Sequence, residues 1–222
     1  MLIFFQSGAR KPLRGPDEVA YFLTISACSR AGEWRKGLDV LEEMKATGLS
    51  RSVKAYSAAI GGCAEAGEWK VALRLLTEMS EQGVKPNVVT YSTAISACAK
   101  ALSMSDDKED PFRAAMILFK RMKQDTRTAP NIVSYNAAIT ACAEGLKVDQ
   151  AFALFNELTQ TKLEPTIVTY GGLMTACERV GDSEKAERLF SIMKENGIVA
   201  NEIVYGAAIS CCRKAEKVCD DN

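Results

Sequence analysis

Fourteen residues are written twice in this chain, as NVVTYSTAISACAK over 87–100 and as NIVSYNAAITACAE over 131–144. The tyrosines show that both copies belong to a longer series. All six of them, Tyr21, Tyr56, Tyr91, Tyr135, Tyr170 and Tyr205, are spaced by 35, 35, 44, 35 and 35 residues. Six of the eight cysteines, Cys28, Cys63, Cys98, Cys142, Cys177 and Cys212, each follow a tyrosine by seven. A fixed period of this length marks a repeat architecture, in which no unit can bury its apolar face alone and successive units must stack.

Each unit carries two helical patterns. In the segment SEKAERLFSIMK, Ala186, Leu189, Phe190 and Met193 fall at i, i+3, i+4 and i+7, one stripe of a helix. Asp182 is placed to cap its start and Gly197 to end it, with Gly48 and Gly83 in the matching places earlier. The doubled phrase is the other helix of the unit. There Tyr91, Ile95 and Cys98 step by four and three, which puts the tyrosines in the packing and not on a base-stacking surface. Thr90, Ser134 and Thr169 lie near the start of this helix, and Ala94, Ala97, Ala138 and Ala141 let a neighbouring backbone approach closely. The fold class expected is all-α, an α-solenoid or superhelix of stacked 35-residue helix-turn-helix repeats. The longer third interval comes mainly from LSMSDDKEDP at about 102–111, expected to form a solvated surface loop.

Composition narrows the chemistry. With 28 basic against 28 acidic residues and 47% hydrophobic residues, the chain reads as an ordered, elongated domain of no net charge. No apolar run approaches the roughly 18 residues of a membrane span, and the opening MLIFF is too short for a secretory core. There is no histidine and no C-x-x-C pair, so the cysteines read as small apolar packing residues in a reducing compartment, and neither a metal nor a cofactor is expected. Cys211 and Cys219 stand outside the series and are expected to be exposed. Without histidine there is no H-x-E element for zinc deaminase chemistry, and there is no Gly-rich phosphate loop, so no catalytic residue and no enzyme is expected. Residues 1–17 carry Arg10, Lys11 and Arg14 with no acid before Asp17, a faint trace of an organelle transit segment.

The tetratricopeptide pattern, with a period of about 34, wants a Trp and a Leu-Gly pair before its tyrosine, and neither is present. Val-x-Tyr-polar-x-x-Ile at the start of the first helix, a Met near the end of the second and Pro-Asn closing the unit resemble the pentatricopeptide repeat family in its P-type form. VVTYSTAISACAKA, EMSEQGVKPN and IVTYGGLMTACERVGDSEKAERLFSIMKENGI carry the resemblance. It covers residues 18–222, with repeats at 18–52, 53–87, 88–131, 132–166 and 167–201 and a half repeat at 202–222. That half repeat has only a first helix, whose outer face is expected to be covered by further chain or a partner.

The resemblance implies binding of single-stranded RNA at one base per repeat, in RNA processing, stability or translation in a chloroplast or mitochondrion, with RNA-processing proteins as further partners. It implies that the residue after each tyrosine and the last residue of the repeat read the base. Ser57 with Asn87 and Ser92 with Asn131 then favour adenine, and Asn136 with Thr166 a pyrimidine. Phe22 with Ser52 and Gly171 with Asn201 have no assigned base. It also implies that Val19, Val89, Val133, Val168 and Ile203 clamp the bases, with Lys54 departing from the pattern. Arg30, Lys100, Arg179 and Lys214 would reach the phosphates, in a series interrupted by Glu65 and Glu144. The alternatives are a protein-interaction solenoid, or the RNA-binding arm of a larger enzyme.

Overall fold

The computed structural model describes residues 16–104 and 109–220, with Glu109 and residues 215–220 described by backbone alone. The basic residues 10–14 lie outside the described residues. Among the described residues there are eleven α-helices and no strand. They pair as α1 (Glu18–Arg30) with α2 (Trp34–Ala46), α3 (Val53–Glu65) with α4 (Trp69–Glu81), and α5 (Val88–Met104) with α6 (Glu109–Gln124). The series continues as α7 (Ile132–Glu144) with α8 (Val148–Thr159), α9 (Ile167–Val180) with α10 (Ser183–Glu195), and ends in α11 (Glu202–Asp220). Each odd helix packs on the next odd helix, and each even helix packs on the odd helices before and after it. The result is a two-layer solenoid whose core runs continuously between the layers.

The two layers differ because their helices are enclosed differently. An even helix buries one stripe, as α4 does with Ala72, Leu75, Leu76 and Met79. An odd helix is held on three sides, so α5 buries Ala94, Ala97, Ala99 and Ala101 as well as Ile95, Cys98 and Leu102. The small side chains are what allow these helices to lie close. The tyrosines pin the layers together. Tyr21, Tyr56 and Tyr135 donate their hydroxyls to Glu43, Glu78 and Glu157 on the even helix of the same repeat, at 3.4, 3.4 and 2.8 Å. Burial pushes the Tyr56 phenol up to about 12. Tyr91 is only half-buried, and Arg121 stands in its repeat where those three have glutamate.

Asp182 caps α10 by accepting from Lys185 N at 3.0 Å. Gly48, Gly83 and Gly197 follow their helices with φ of 76°, 72° and 67°. At the turn inside the repeat, Gly32, Gly67 and Gly181 also take positive φ, but the fourth repeat puts Leu146 there, at φ 59°.

Three expectations need correction. The segment 102–111 is not simply a solvated loop: Leu102 is fully buried on an extended α5, and Pro111 and Phe112 are buried on α6. Residues 105–108 of this segment lie outside the described residues. The reason is apolar: the extra turn carries Leu102 into the core, and Met104 Sδ lies 3.0 Å from where a Cβ on Gly67 would stand. Among the cysteines, Cys211 is buried and Cys212 exposed, the reverse of the expectation, and Cys28 is half-buried. Cys211 faces α9, with its thiol 3.5 Å from Cys177 O, whereas Cys212 points to the side of α11 that no described helix covers. The Cys219 side chain lies outside the description. Finally, Tyr205 is not packed like its counterparts, for the same reason as Cys212.

Candidate nucleic-acid interface

The second residue of each odd helix points away from the core. Val19, Val89, Val133, Val168 and Ile203 occupy this register and are 60%, 58%, 56%, 61% and 68% exposed. Lys54 fills the same place on α3 and is also exposed. Single exposed aliphatics are ordinary, but five in one register along one face, four of them consecutive from Val89 to Ile203, form an apolar feature that packing does not explain.

Two clefts open between members of this row. One, of about 300 Å³, is lined by Val89 and Val133 with Ser92 and Asn131 between them. The other, of about 280 Å³, is lined in the same arrangement by Val168 and Ile203 with Gly171 and Asn201. The structure therefore brings together, in repeats three and five, the two residues expected to read the base and the two aliphatics expected to flank it. Glu65 borders the first cleft and Glu144 the second.

The last residue of each repeat begins the next odd helix as a cap. Ser52 Oγ accepts from Ala55 N at 3.4 Å, and Asn87, Asn131 and Asn201 accept through Oδ1 from Thr90, Ser134 and Val204 N at 3.0 Å each. With Oδ1 held by the helix, the side chain offers its Nδ2 donors outward. The signal was legible, since an Asn three residues before Thr90 or Ser134 is the spacing of a capping box.

The residue after each tyrosine is less open. Ser92 is buried, and its hydroxyl bonds Val88 O at 2.8 Å and Ser134 Oγ at 2.8 Å. Ser57, half-buried, donates to Val53 O at 2.7 Å, and no hydrogen bond joins it to Asn87. Asn136, also half-buried, accepts from Thr169 Oγ1 at 2.7 Å, and the same Thr169 oxygen accepts from Thr166 N at 3.0 Å. Thr90, Ser134 and Thr169 are the residues that sequence reasoning noticed without giving them this part.

The basic series is partly engaged. Arg179 Nη2 lies 2.7 and 2.6 Å from the two carboxylate oxygens of Glu144, and Lys214 donates to Glu178 O at 3.0 Å. Arg30 is exposed and reaches Ser26 O at 3.4 Å, and Lys100 is exposed on the same register. Among the described residues no group of three or more His, Cys, Asp or Glu could hold a metal ion, and no helix is long and apolar enough to cross a membrane. Burial pushes the thiols of Cys98, Cys142 and Cys177 up to about 12 and that of Cys63 to about 11, which suits packing residues.

The fold is that of known repeat proteins. The chain superposes on the pentatricopeptide repeat protein PPR10 from maize with a TM-score of 0.74 and 28% identity, over 91% of this chain and 28% of that one. PPR10 in complex with an 18-nt psaJ RNA element gives a TM-score of 0.70 at 27% identity, over 90% and 28% of the two chains. The chain thus spans little more than a quarter of the maize protein's length. The PPR domain of Arabidopsis thaliana protein-only RNase P 1, in complex with tRNA, matches with a TM-score of 0.68 over 88% of this chain and 98% of that one. At 15% identity that is a likeness of fold alone. No curated protein sequence matches significantly. A family model for the PPR repeat matches residues 24–49, and the model for the pentacotripeptide-repeat region of PRORP matches residues 51–218. With that match spanning well over half its length, the chain belongs to the pentatricopeptide repeat family.

Proposed function

We propose that this chain binds single-stranded RNA along the exposed face of its odd helices, taking one base into each cleft between successive members of the aliphatic row. The observation that carries the reading is the row itself, with a polar floor between its members. A flat base fits between two aliphatic side chains, which exclude water from its faces while the floor meets its edge. The likeness to maize PPR10, solved with an RNA element, supports the same reading. Ser57 with Asn87, and Ser92 with Asn131, take adenine, because the outward Nδ2 group donates to an acceptor on the base edge such as adenine N1. Asn136 with Thr166 takes a pyrimidine. Binding is weak and salt-sensitive, because the phosphate contacts fall to Arg30 and Lys100, with Arg179 and Lys214 shared with α7 and α9. The RNA is a chloroplast or mitochondrial transcript, and RNA-processing proteins act on it with this chain.

Fluorescence anisotropy against short RNAs with central AAC, AAU, GGC and GGU tests this, in the wild type and in the Asn87→Asp, Asn131→Asp double variant. Aspartate caps a helix as well as asparagine, so the fold is kept while an outward donor becomes an acceptor. The wild type prefers the AA pair, and the double variant shifts toward guanine, whose edge presents N–H donors. Binding that ignores both the base and the substitutions would overturn the reading residues and favour a surface for protein partners.

A further inference from the structure

The third residue of each odd helix is a buried position that an apolar side chain can fill: Ala55 in α3 and Val204 in α11 are both fully buried there. In α5, α7 and α9 the same register carries Thr90, Ser134 and Thr169, also fully buried. Packing alone does not call for their hydroxyls. These three follow repeats two, three and four, the repeats whose reading residues have an assigned base.

In the fourth repeat the direction of the hydrogen bonds can be worked out. Thr166 N–H can only donate, so Thr169 Oγ1 accepts from it at 3.0 Å. The hydroxyl's single proton then goes to Asn136 Oδ1, 2.7 Å away. Asn136 belongs to α7 and Thr169 to α9, so this bond crosses from one repeat to the next. It draws Oδ1 of Asn136 inward and leaves the Nδ2 group as the end that can meet a base. In the third repeat Ser134 stands likewise between the two readers, 2.8 Å from Ser92 Oγ and 3.0 Å from Asn131 Oδ1. The second repeat has half of this arrangement: Thr90 is bonded to Asn87 but not to Ser57.

We infer that Thr169 is a positioning residue for base selection by the fourth repeat, orienting the Asn136 amide so that its donors face the RNA, and that Ser134 ties Ser92 to Asn131 in the third. The inference rests on the RNA-reading function proposed above. Its consequence is that the specificity of a repeat is partly written in the repeat that follows. A fixed donor end meets an acceptor on the base edge, such as cytosine N3 or uracil O4, in one orientation only. Without the Thr169 hydroxyl the amide turns over freely, and either end can meet the base.

The test is anisotropy of the full chain against RNAs with central AAC, AAU and AAA, varying the base that faces the fourth repeat. Wild type, Asn136→Ala, Thr169→Val and Thr169→Ser are compared, with thermal melting of each. Wild type favours the pyrimidine, Asn136→Ala loses the preference, and Thr169→Val lowers it by about fivefold, the worth of one hydrogen bond. Thr169→Ser restores it. Valine fits this register at Val204, and Thr169→Ala, matching Ala55, serves as a second variant should Thr169→Val melt early. Wild-type selectivity in both Thr169→Val and Thr169→Ala, with Asn136→Ala still unselective, would overturn the inference and leave the RNA-reading function standing. An equal loss of affinity for every base would overturn it too, as the sign of a purely structural role. A wild type indifferent to the base overturns the RNA-reading function and this inference with it.

Discussion

α7 and α11 carry nearly the same phrase in the same register, and the structure treats half of it differently. On one face they agree: Ser134 and Val204 are fully buried, as are Ala141 and Cys211, and Ala137 and Ala207 are each 8% exposed. On the other face they part. Tyr135 is 4% exposed and Tyr205 54%, Ile139 0% and Ile209 69%, while Cys142 is buried and Cys212 is not. The first face meets the preceding repeat, which both helices have. The second meets the even helix of the same repeat and the odd helix of the next, and among the described residues only α7 has these. Burial of an odd helix thus comes in two halves, each supplied by a different neighbour, so the same residue can be core in one repeat and surface in another.

The strongest way to break this comparison is the isoleucine pair. Ile139→Ala opens a cavity in a closed core and lowers stability by about 2–5 kcal/mol, while Ile209→Ala stays within about 0.5 kcal/mol. Chemical denaturation of the two variants measures the contrast. Equal losses would mean that the outer face of α11 is covered in solution.

The cysteine pair sharpens the same contrast. The thiolate is the reactive form, and burial both shields Cys142 and pushes its thiol up to about 12. At pH 8, iodoacetamide followed by peptide mapping labels Cys212 at least about a hundredfold faster than Cys142, Cys98 or Cys177. The raised thiols also set a pH dependence. In the unfolded chain they ionise near the ordinary value of about 8.5, so the stability they protect is whole below that pH. It is lost as pH rises toward the folded values of about 11 for Cys63 and about 12 for the other three. Stability that climbs between pH 8.5 and 11 would contradict the burial of these thiols.

Much of the fold was legible because the repeat writes its pattern many times over. Tyr21, Tyr56, Tyr135 and Tyr170 are buried as their periodicity implies, and Asp182 and Gly197 sit at the ends of α10. What the pattern could not show was which neighbours are present, and so Tyr205, Cys211 and Cys212 were misplaced. The extension of α5 was hidden by composition: the segment is mostly polar, yet Leu102 is buried on the part of α5 that runs on to Met104. At the candidate site the residue positions could be read but not all of their bonding. The Asn131 cap of α7 is local and follows from its spacing to Ser134, but that Thr169 reaches Asn136 is a contact between helices 33 residues apart, which no single repeat's sequence displays.

The smallest effect concerns the turn that follows α7, where local preference and tertiary packing oppose each other. Four residues after their cysteines, Gly32, Gly67 and Gly181 turn the chain with positive φ, and Leu146 does the same at φ 59°. Leu102 and Glu216 stand in that register in α5 and α11, and there the helix continues. Leu146 is thus held in a left-handed conformation by the docking of α8, against a cost of about 1–2 kcal/mol for a side chain with a Cβ. Its side chain is 48% exposed and gives little packing in return. Leu146→Gly relieves the conformation and gives back part of the gain through the greater freedom of glycine in the unfolded chain. The net is a stabilisation of about 0.5–1 kcal/mol, seen as a melting midpoint higher by roughly 2–4 °C. Gly181→Leu, the reverse change in the same register, lowers it by a similar amount. A Leu146→Gly variant that melts earlier would show that the half-exposed leucine contributes more than its turn costs, and that packing, as in the rest of α7, outweighs local preference even here.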